Sequence, residues 1–322
     1  MKVLKIVVIT QGVSRIVQPL LDGKHDLVGV IESATRDVLQ KKEPAYLYKF
    51  ARKLYALFKK KNKSLRSLAY EKKIAYRYMV SSNDEGLEEW LKKLQPDLIV
   101  VFSMSQLLKE NIFSIPVLGT INIHPSMLPD YRGPNPDFWQ YINLEMEPGV
   151  TIHYIDEGED TGDILRQERV HIPLGTKSPE RLDRLIGDVG VKNLLKIIEE
   201  LASGTAKSVK QPEESPTARA RNIKPEEHKN VIDWRNWETP HVWHVLRGTE
   251  LWLNALEQPK GLYKGQRWSV GEYILVDKQL HSVRSIFRLG KGYVVATKDG
   301  YIKLSVRFSV KRFILHFLKN KS

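Results

Sequence analysis

Residues 97–124 read DLIVVFSMSQLLKENIFSIPVLGTINIH and carry the pattern that decides the fold. The run at 97–102 is almost entirely apolar, which is typical of a strand that is covered on both faces. A second short strand is predicted at 119–123. The runs at 3–10 and 27–32, rich in Val and Ile, predict two more strands with a helix between them. This strand–helix–strand order favours an α/β fold with a parallel sheet.

The sequence predicts three parts: an α/β domain at 1–205, which contains these strands, a linker at 206–229 and a smaller, mainly β C-terminal domain at 230–322. The linker is polar and contains three prolines, and five of the seven tryptophans follow it. The last part contains a predicted hairpin with the turn Lys298-Asp299-Gly300. Further predicted elements are a helix at 83–94 capped by Ser82 or Asn83, strands at 149–155 and 163–172, and a helix at 178–201.

Composition excludes several classes of protein. The chain has 322 residues, of which 42% are hydrophobic and 28% charged, so it is not a disordered tail. It has no cysteine, which excludes a disulfide scaffold, a cysteine nucleophile and a thiolate zinc site. No apolar run approaches the roughly 20 residues that span a bilayer, and the first strand lacks the features of a signal peptide. We therefore expect a cytoplasmic protein.

The net charge of +13 is concentrated in one stretch. Residues 36–77 contain fourteen lysines and arginines against three acidic residues. The stretch also contains an apolar helical face, formed by Leu47, Phe50, Leu54, Leu57 and Phe58. A solvated helical surface, a phosphate-bearing ligand, a nucleic acid and peripheral contact with an anionic membrane all remain open.

The window at 119–163 contains the residues that can perform chemistry. Asn122 and His124 are two positions apart on a predicted strand, so both side chains lie on one face at its carboxyl end, where open α/β sheets bind ligands. Asp160 lies in an acidic loop that is closed by Thr161-Gly162. A neutral imidazole can accept a proton from an attacking amine, and an amide N–H can stabilise the oxyanion of acyl transfer.

The residues alone leave other interpretations open. A histidine at a strand end is often purely structural, and Asp160 is also suited to a turn. A metal site from His124, His153 and Asp160 is an alternative, although the HExxH motif is absent. A serine hydrolase fits poorly, because Ser126 follows His124 too closely and no GxSxG elbow occurs.

The run INIHPSMLPDYRG at 121–133 resembles the signature of the folate-dependent formyltransferases, and the downstream Asp-Thr-Gly at 160–162 matches as well. The resemblance covers about 1–205. It implies a Rossmann-like formyltransferase domain that uses 10-formyltetrahydrofolate as the formyl donor, without a metal. It also implies that Asn122, His124 and Asp160 are the catalytic residues.

The same resemblance assigns two further groups of residues. Two loops, at 102–108 and 155–160, are the counterparts of those that bind the pterin. Cofactor-binding residues are expected to be Phe102, Met104, Gln106, Leu107, Glu157 and Asp160. Substrate-binding residues are expected to be Ser126, Tyr131, Arg132 and Asn135.

The C-terminal part is similar to that of the tRNA and sugar enzymes of the family, and two acceptors follow. A nucleotide-linked amino sugar, as used in polysaccharide biosynthesis, is favoured by the motif at 134–139 and by the absence of Gly-Thr-Pro-Glu-Phe after the first strand. Methionyl-tRNA is the alternative, and the basic stretch argues for it. A formyltetrahydrofolate hydrolase and a non-catalytic basic binding module rank lower, and a homodimer remains open.

Overall fold

The structure is a computed structural model that describes residues 2–35, 64–310 and 312–313. The predicted apolar helical face at 47–58 and most of the basic stretch at 36–77 lie outside the described residues. Within that stretch, the structure has one helix and one strand that the sequence analysis did not predict. They are the helix α2 (Leu65–Glu71) and the strand β3 (Ala75–Met79).

A seven-stranded, mostly parallel sheet is the centre of the first part, as predicted. Besides β3, its strands are β1 (Lys5–Thr10), β2 (Asp26–Ser33), β4 (Leu98–Phe102), β5 (Thr120–His124), β6 (Gly149–Tyr154) and β7 (Ile164–Arg169). Their order in the sheet is β3-β2-β1-β4-β5-β6-β7. The first five strands in this order are parallel, and β6 is antiparallel to both of its neighbours.

Helices cover both faces of this sheet, which explains why β4 is apolar throughout. Val100 belongs to the hydrophobic cluster that includes Leu194 of the helix Val191–Ser203. Ile99 belongs to the cluster on the opposite face of the sheet, with Leu87 and Leu91. Successive residues of a strand point to opposite faces, so a strand covered on both sides needs no polar position. The other helices of this part are α1 (Val17–Leu21), α3 (Glu85–Leu94), α4 (Glu110–Phe113), α5 (Pro136–Ile142), α6 (Ser178–Leu182) and α7 (Val191–Ser203).

Two helix predictions need correction in detail. The cap of α3 is Asp84, whose side chain accepts a hydrogen bond from the Gly86 N–H, and not Ser82 or Asn83. The long helix predicted at 178–201 is interrupted between α6 and α7 by a π-helical run, Asp183–Gly190. Hydrophobic periodicity does not report this change, because the run keeps an apolar face toward β6.

A second, four-stranded antiparallel sheet lies in the C-terminal part, as predicted. Its strands are β8 (Arg267–Leu275), β9 (Ile286–Leu289), β10 (Gly292–Ala296) and β11 (Gly300–Arg307). Their order in the sheet is β8-β11-β10-β9, and the predicted hairpin is β10 paired with β11. The helix α8 (Thr239–Gly248) packs on β8 and also contacts α5 of the first part. No described helix is long and apolar enough to span a membrane.

Candidate active site

Three side chains that the sequence analysis selected converge at the carboxyl end of β5. Asn122 and His124 lie on this strand, and Asp160 lies in the loop after β6. The Asn122 Nδ2 atom is 3.5 Å from Asp160 Oδ1, and the His124 Nδ1 atom is 3.6 Å from Asp160 Oδ2. The predicted amide, imidazole and carboxyl groups are therefore neighbours around one point.

The surroundings of His124 define the role of each ring nitrogen. The ring is buried, and its Nε2 atom lies 3.1 Å from the Tyr131 carbonyl oxygen. A carbonyl oxygen only accepts hydrogen bonds, so Nε2 carries a hydrogen and donates it. In the neutral ring, Nδ1 then has the lone pair and faces Asp160. This geometry suits Nδ1 to accept a proton, and the carboxylate to stabilise the resulting positive charge.

His153 is a fourth member of the cluster, which the sequence analysis considered only as a metal ligand. It pairs with Asn122 across β5 and β6. Its Nδ1 atom is 2.7 Å from the Tyr154 carbonyl oxygen, so Nε2 is the acceptor for Asn122 Nδ2 at 3.1 Å. Burial lowers the pKa of His153, although the Asp160 carboxylate 3.6 Å away opposes the shift. A neutral His153 thus accepts one N–H of the Asn122 amide and leaves the other N–H directed toward Asp160 and the site.

The Asp160 loop depends on two glycines. Asp160 has a φ of +57°, a left-handed conformation that aspartate tolerates better than most residues. Its Oδ2 atom accepts a hydrogen bond of 2.9 Å from the Gly133 N–H. A Cβ atom on Gly162 would lie 2.0 Å from the Tyr154 carbonyl oxygen, so only glycine fits there. This steric restriction explains why a glycine is required at position 162.

A cavity of about 350 Å³ opens beside these groups. Val101, Leu108 and Ile155 form part of its apolar wall, and Asn122, His124 and Asp160 lie at its polar end. Of the residues expected to bind the cofactor or the substrate, the cavity is also lined by Phe102, Met104, Gln106, Leu107 and Asn135. The Gln106 amide is bonded to the backbone at Val80 and Ser82, so it fixes one loop to another.

Four expected binding residues do not line the cavity. Ser126 is fully buried and donates to the Asp130 carbonyl. Tyr131 is buried, and its hydroxyl accepts a hydrogen bond from the Asn143 amide. Arg132 is buried with its guanidinium bonded to the segment around 211–213, and Glu157 is exposed outside the cavity. Of these four side chains, that of Arg132 is held by a distant segment, a contact that local sequence does not reveal.

His124, His153 and Asp160 were the residues of the alternative metal site, and the structure shows how they are arranged. Within residues 2–35, 64–310 and 312–313, no group of three or more His, Asp or Glu side chains is placed to bind a metal ion. His124 and His153 both approach Asp160, yet each uses one ring nitrogen on a backbone carbonyl.

The α/β sheet and this site define an enzyme suited to acyl transfer, and comparison with known proteins gives the family. The chain belongs to the formyl transferase family, whose sequence profile ("Formyl transferase") matches residues 4–198. Similar curated proteins include the methionyl-tRNA formyltransferase of Clostridium tetani (strain Massachusetts / E88), which is 34% identical over 71% of this chain and 72% of that protein. The methionyl-tRNA formyltransferase of Syntrophus aciditrophicus (strain SB) is 35% identical over 72% of this chain and 74% of that protein.

Solved structures share the fold at low sequence identity. The N-formyltransferase from Helicobacter canadensis, in complex with folinic acid and dTDP-3-aminofucose, has a TM-score of 0.62 and 18% identity, over 95% of this chain and all of that chain. HypX from Aquifex aeolicus, in complex with tetrahydrofolic acid, has a TM-score of 0.60 and 16% identity, over 94% of this chain and 44% of that chain. The predicted formyltransferase family is confirmed. The sequence-based preference for a sugar acceptor is not, since the curated relatives named here are tRNA enzymes.

Proposed function

We propose that this protein transfers the formyl group of 10-formyltetrahydrofolate to the amine of methionyl-tRNA by direct attack. The observation that carries the proposal is the convergence of Asn122, His124 and Asp160 at the end of one cavity. In a formyltransferase, such a group can handle both the proton and the negative charge of the reaction without a covalent enzyme intermediate.

Each side chain has a distinct role in this proposal. His124 Nδ1 accepts the proton that the amine loses as it attacks the formyl carbon. The Asn122 Nδ2 group and the protonated His124 ring donate hydrogen bonds to the developing oxyanion. Asp160 stabilises the imidazolium from 3.6 Å, and the Asn122 N–H that faces Asp160 Oδ1 at the long distance of 3.5 Å is the one that turns to the oxyanion. When the oxyanion collapses, the proton on His124 goes to the nitrogen of the departing folate.

The cavity suits a reduced folate as the donor. Residues of the loop at 102–108 and of the loop at 155–160 line the cavity, and they include both apolar and polar side chains. A pterin is flat and presents several hydrogen-bonding atoms at its edge, which such walls can bind. The Helicobacter canadensis and Aquifex aeolicus proteins are also described with folates bound.

The acceptor is proposed on two grounds. The curated relatives match this chain at about a third identity over most of their own length, and they are methionyl-tRNA formyltransferases. The charge is also suited to a polyanion: 36–77 and 231–322 contain thirty lysines and arginines against ten acidic residues. Cations on this scale bind the phosphates of a nucleic acid without reading its sequence.

A nucleotide-linked amino sugar is the second candidate. The specific observation is the Pro-Asn-Pro-Asp motif at 134–137, whose similarity to the sugar enzymes favoured this acceptor. Asn135 precedes α5, and all four residues of the motif line the cavity, so the motif is placed to contact an acceptor.

A side-by-side assay separates the two acceptors. Purified protein and 10-formyltetrahydrofolate are incubated with methionyl-tRNA or with a panel of nucleotide-linked amino sugars, and the formylated product is measured. We expect methionyl-tRNA to be formylated, and the His124→Ala variant to be slower by roughly two to three orders of magnitude. Transfer to a sugar alone would reverse the choice of acceptor, and transfer to neither would contradict the proposed function.

A further inference from the structure

The predicted linker contains a segment that crosses the active-site loops. We call residues 209–220 the strap. At one end, Val209 exchanges two backbone hydrogen bonds of 2.8 Å with Ile164, the first residue of β7. At the other end, the Ala220 N–H donates to the Arg132 carbonyl, and the Ala220 carbonyl accepts from the Asn135 N–H. The strap is therefore attached on both sides of the Asp160 loop.

A buried polar pair lies beneath the strap. Arg132 and Gln211 are each only 7% exposed. The Arg132 guanidinium donates to the Gln211 Oε1 atom at 2.9 Å and to the carbonyls of Pro212 and Glu213. Among the described residues no carboxylate forms an ion pair with Arg132, so its charge is balanced by these oxygens. A buried charge needs such partners, and this need fixes the strap in place.

Gln211 connects this pair to the Asp160 loop. Arginine can only donate, so the Gln211 carbonyl oxygen must face Arg132 and its amide nitrogen must face the other way. That nitrogen donates to the Asp160 carbonyl at 3.1 Å and to the Gly162 carbonyl at 2.6 Å. Both N–H groups of one side chain are thus used on the residues that flank Thr161.

The same loop is also attached from the opposite direction. The Gly133 N–H, next to Arg132 in the chain, donates to the Asp160 carboxylate at 2.9 Å. Asp160 is therefore bonded through its backbone to the strap and through its side chain to the turn that binds the strap. Its carboxylate lies 3.5 Å from Asn122 Nδ2 and 3.6 Å from His124 Nδ1, so a displacement of the loop changes both distances.

We propose that Gln211 is a positioning residue that places the Asp160 carboxylate for formyl transfer, with Arg132 fixing its orientation. Gln211 does not line the cavity and contacts no reacting atom in this scheme. The proposal rests on the proposed function only for its effect on turnover. Its structural part, the attachment of the Asp160 loop, is measurable without any acceptor.

The substitution Gln211→Glu separates positioning from general stability. A glutamate has nearly the same size, keeps one carboxylate oxygen facing Arg132 and gains an ion pair with it. It loses the two N–H donors and places an oxygen against the Asp160 and Gly162 carbonyls. We expect kcat to fall by roughly 30- to 100-fold, as for a misplacement of about 1 Å, with the KM for the folate changed less than threefold. Hydrogen exchange of the peptide at 155–163 should become at least tenfold faster.

Gln279→Glu is the matched control, because the Gln279 amide also donates to two backbone carbonyls, at 2.9 Å each, in the C-terminal sheet. It should leave kcat and hydrogen exchange at 155–163 unchanged.

Gln211→Met, which removes all the polar contacts of the Gln211 side chain, is measured in parallel and is decisive if Gln211→Glu does not fold. Wild-type kcat and exchange in the folded Gln211 variant would overturn the positioning role. An inactive wild-type enzyme whose exchange still depends on Gln211 would overturn the proposed function alone.

Discussion

Replacing Asp160 by asparagine tests the electrostatic part of the mechanism. The substitution preserves shape and can still accept the Gly133 N–H, but it removes a negative charge 3.6 Å from His124 Nδ1. At an effective dielectric constant of about 20, this pair is worth about 4–5 kcal/mol when the imidazole is charged. The Asp160 side chain is 15% exposed, so water screens part of the interaction. A loss of about 3–4 kcal/mol in the transition state corresponds to a rate lower by about two to three orders of magnitude.

The assay is single-turnover formyl transfer with saturating 10-formyltetrahydrofolate, combined with calorimetric titration of the folate. We expect Asp160→Asn to bind the folate within a few-fold of wild type while the rate of transfer falls. Asp163→Asn is the control, because Asp163 is three residues away and accepts a hydrogen bond from Ser208 outside the cavity. A rate within threefold of wild type would show that the carboxylate does not stabilise the imidazolium.

Three predictions concern stability and are measured by urea unfolding. Gly162→Ala should cost about 2–4 kcal/mol, because its Cβ would collide with the Tyr154 carbonyl; an unchanged midpoint would contradict this. Burial lowers the pKa of His244 to about 4. The unfolded state therefore binds the proton first, and the free energy of unfolding should fall by about 3 kcal/mol from pH 6.5 to pH 4. His244→Gln should remove most of this slope. Arg181→Met leaves Asp137 without its buried partner and should cost about 3–5 kcal/mol, partly recovered by adding Asp137→Asn.

The central sheet was predictable because its signal is local. A strand buried on both faces, such as β4, must be apolar along its whole length, and this pattern is visible in the sequence. The placement of Asn122 and His124 at the end of β5 follows from the same reasoning, since alternate residues share a face. Asp160 was a candidate as part of an acidic loop, and the resemblance then assigned it to the catalytic group, because no periodicity could connect it to a strand 36 residues earlier.

Contacts between distant segments were not predictable in the same way. Arg132 beside a turn has the composition of an anion site, yet its guanidinium is enclosed by residues about 80 positions later. The segment at 206–229 has the polar, proline-containing composition of a linker, and nothing in that composition reveals that Gln211 bonds to the Asp160 loop. His153 was missed as a partner of Asn122 because antiparallel register is set by the whole sheet.

The most direct test of the account is a crystal structure with 5-formyltetrahydrofolate, a stable analogue of the donor. The account predicts the pterin between the loops at 102–108 and 155–160, with the formyl oxygen within hydrogen-bonding distance of Asn122 Nδ2. A folate bound outside this cavity, or a formyl group turned away from Asn122 and His124, would contradict the proposed site of formyl transfer.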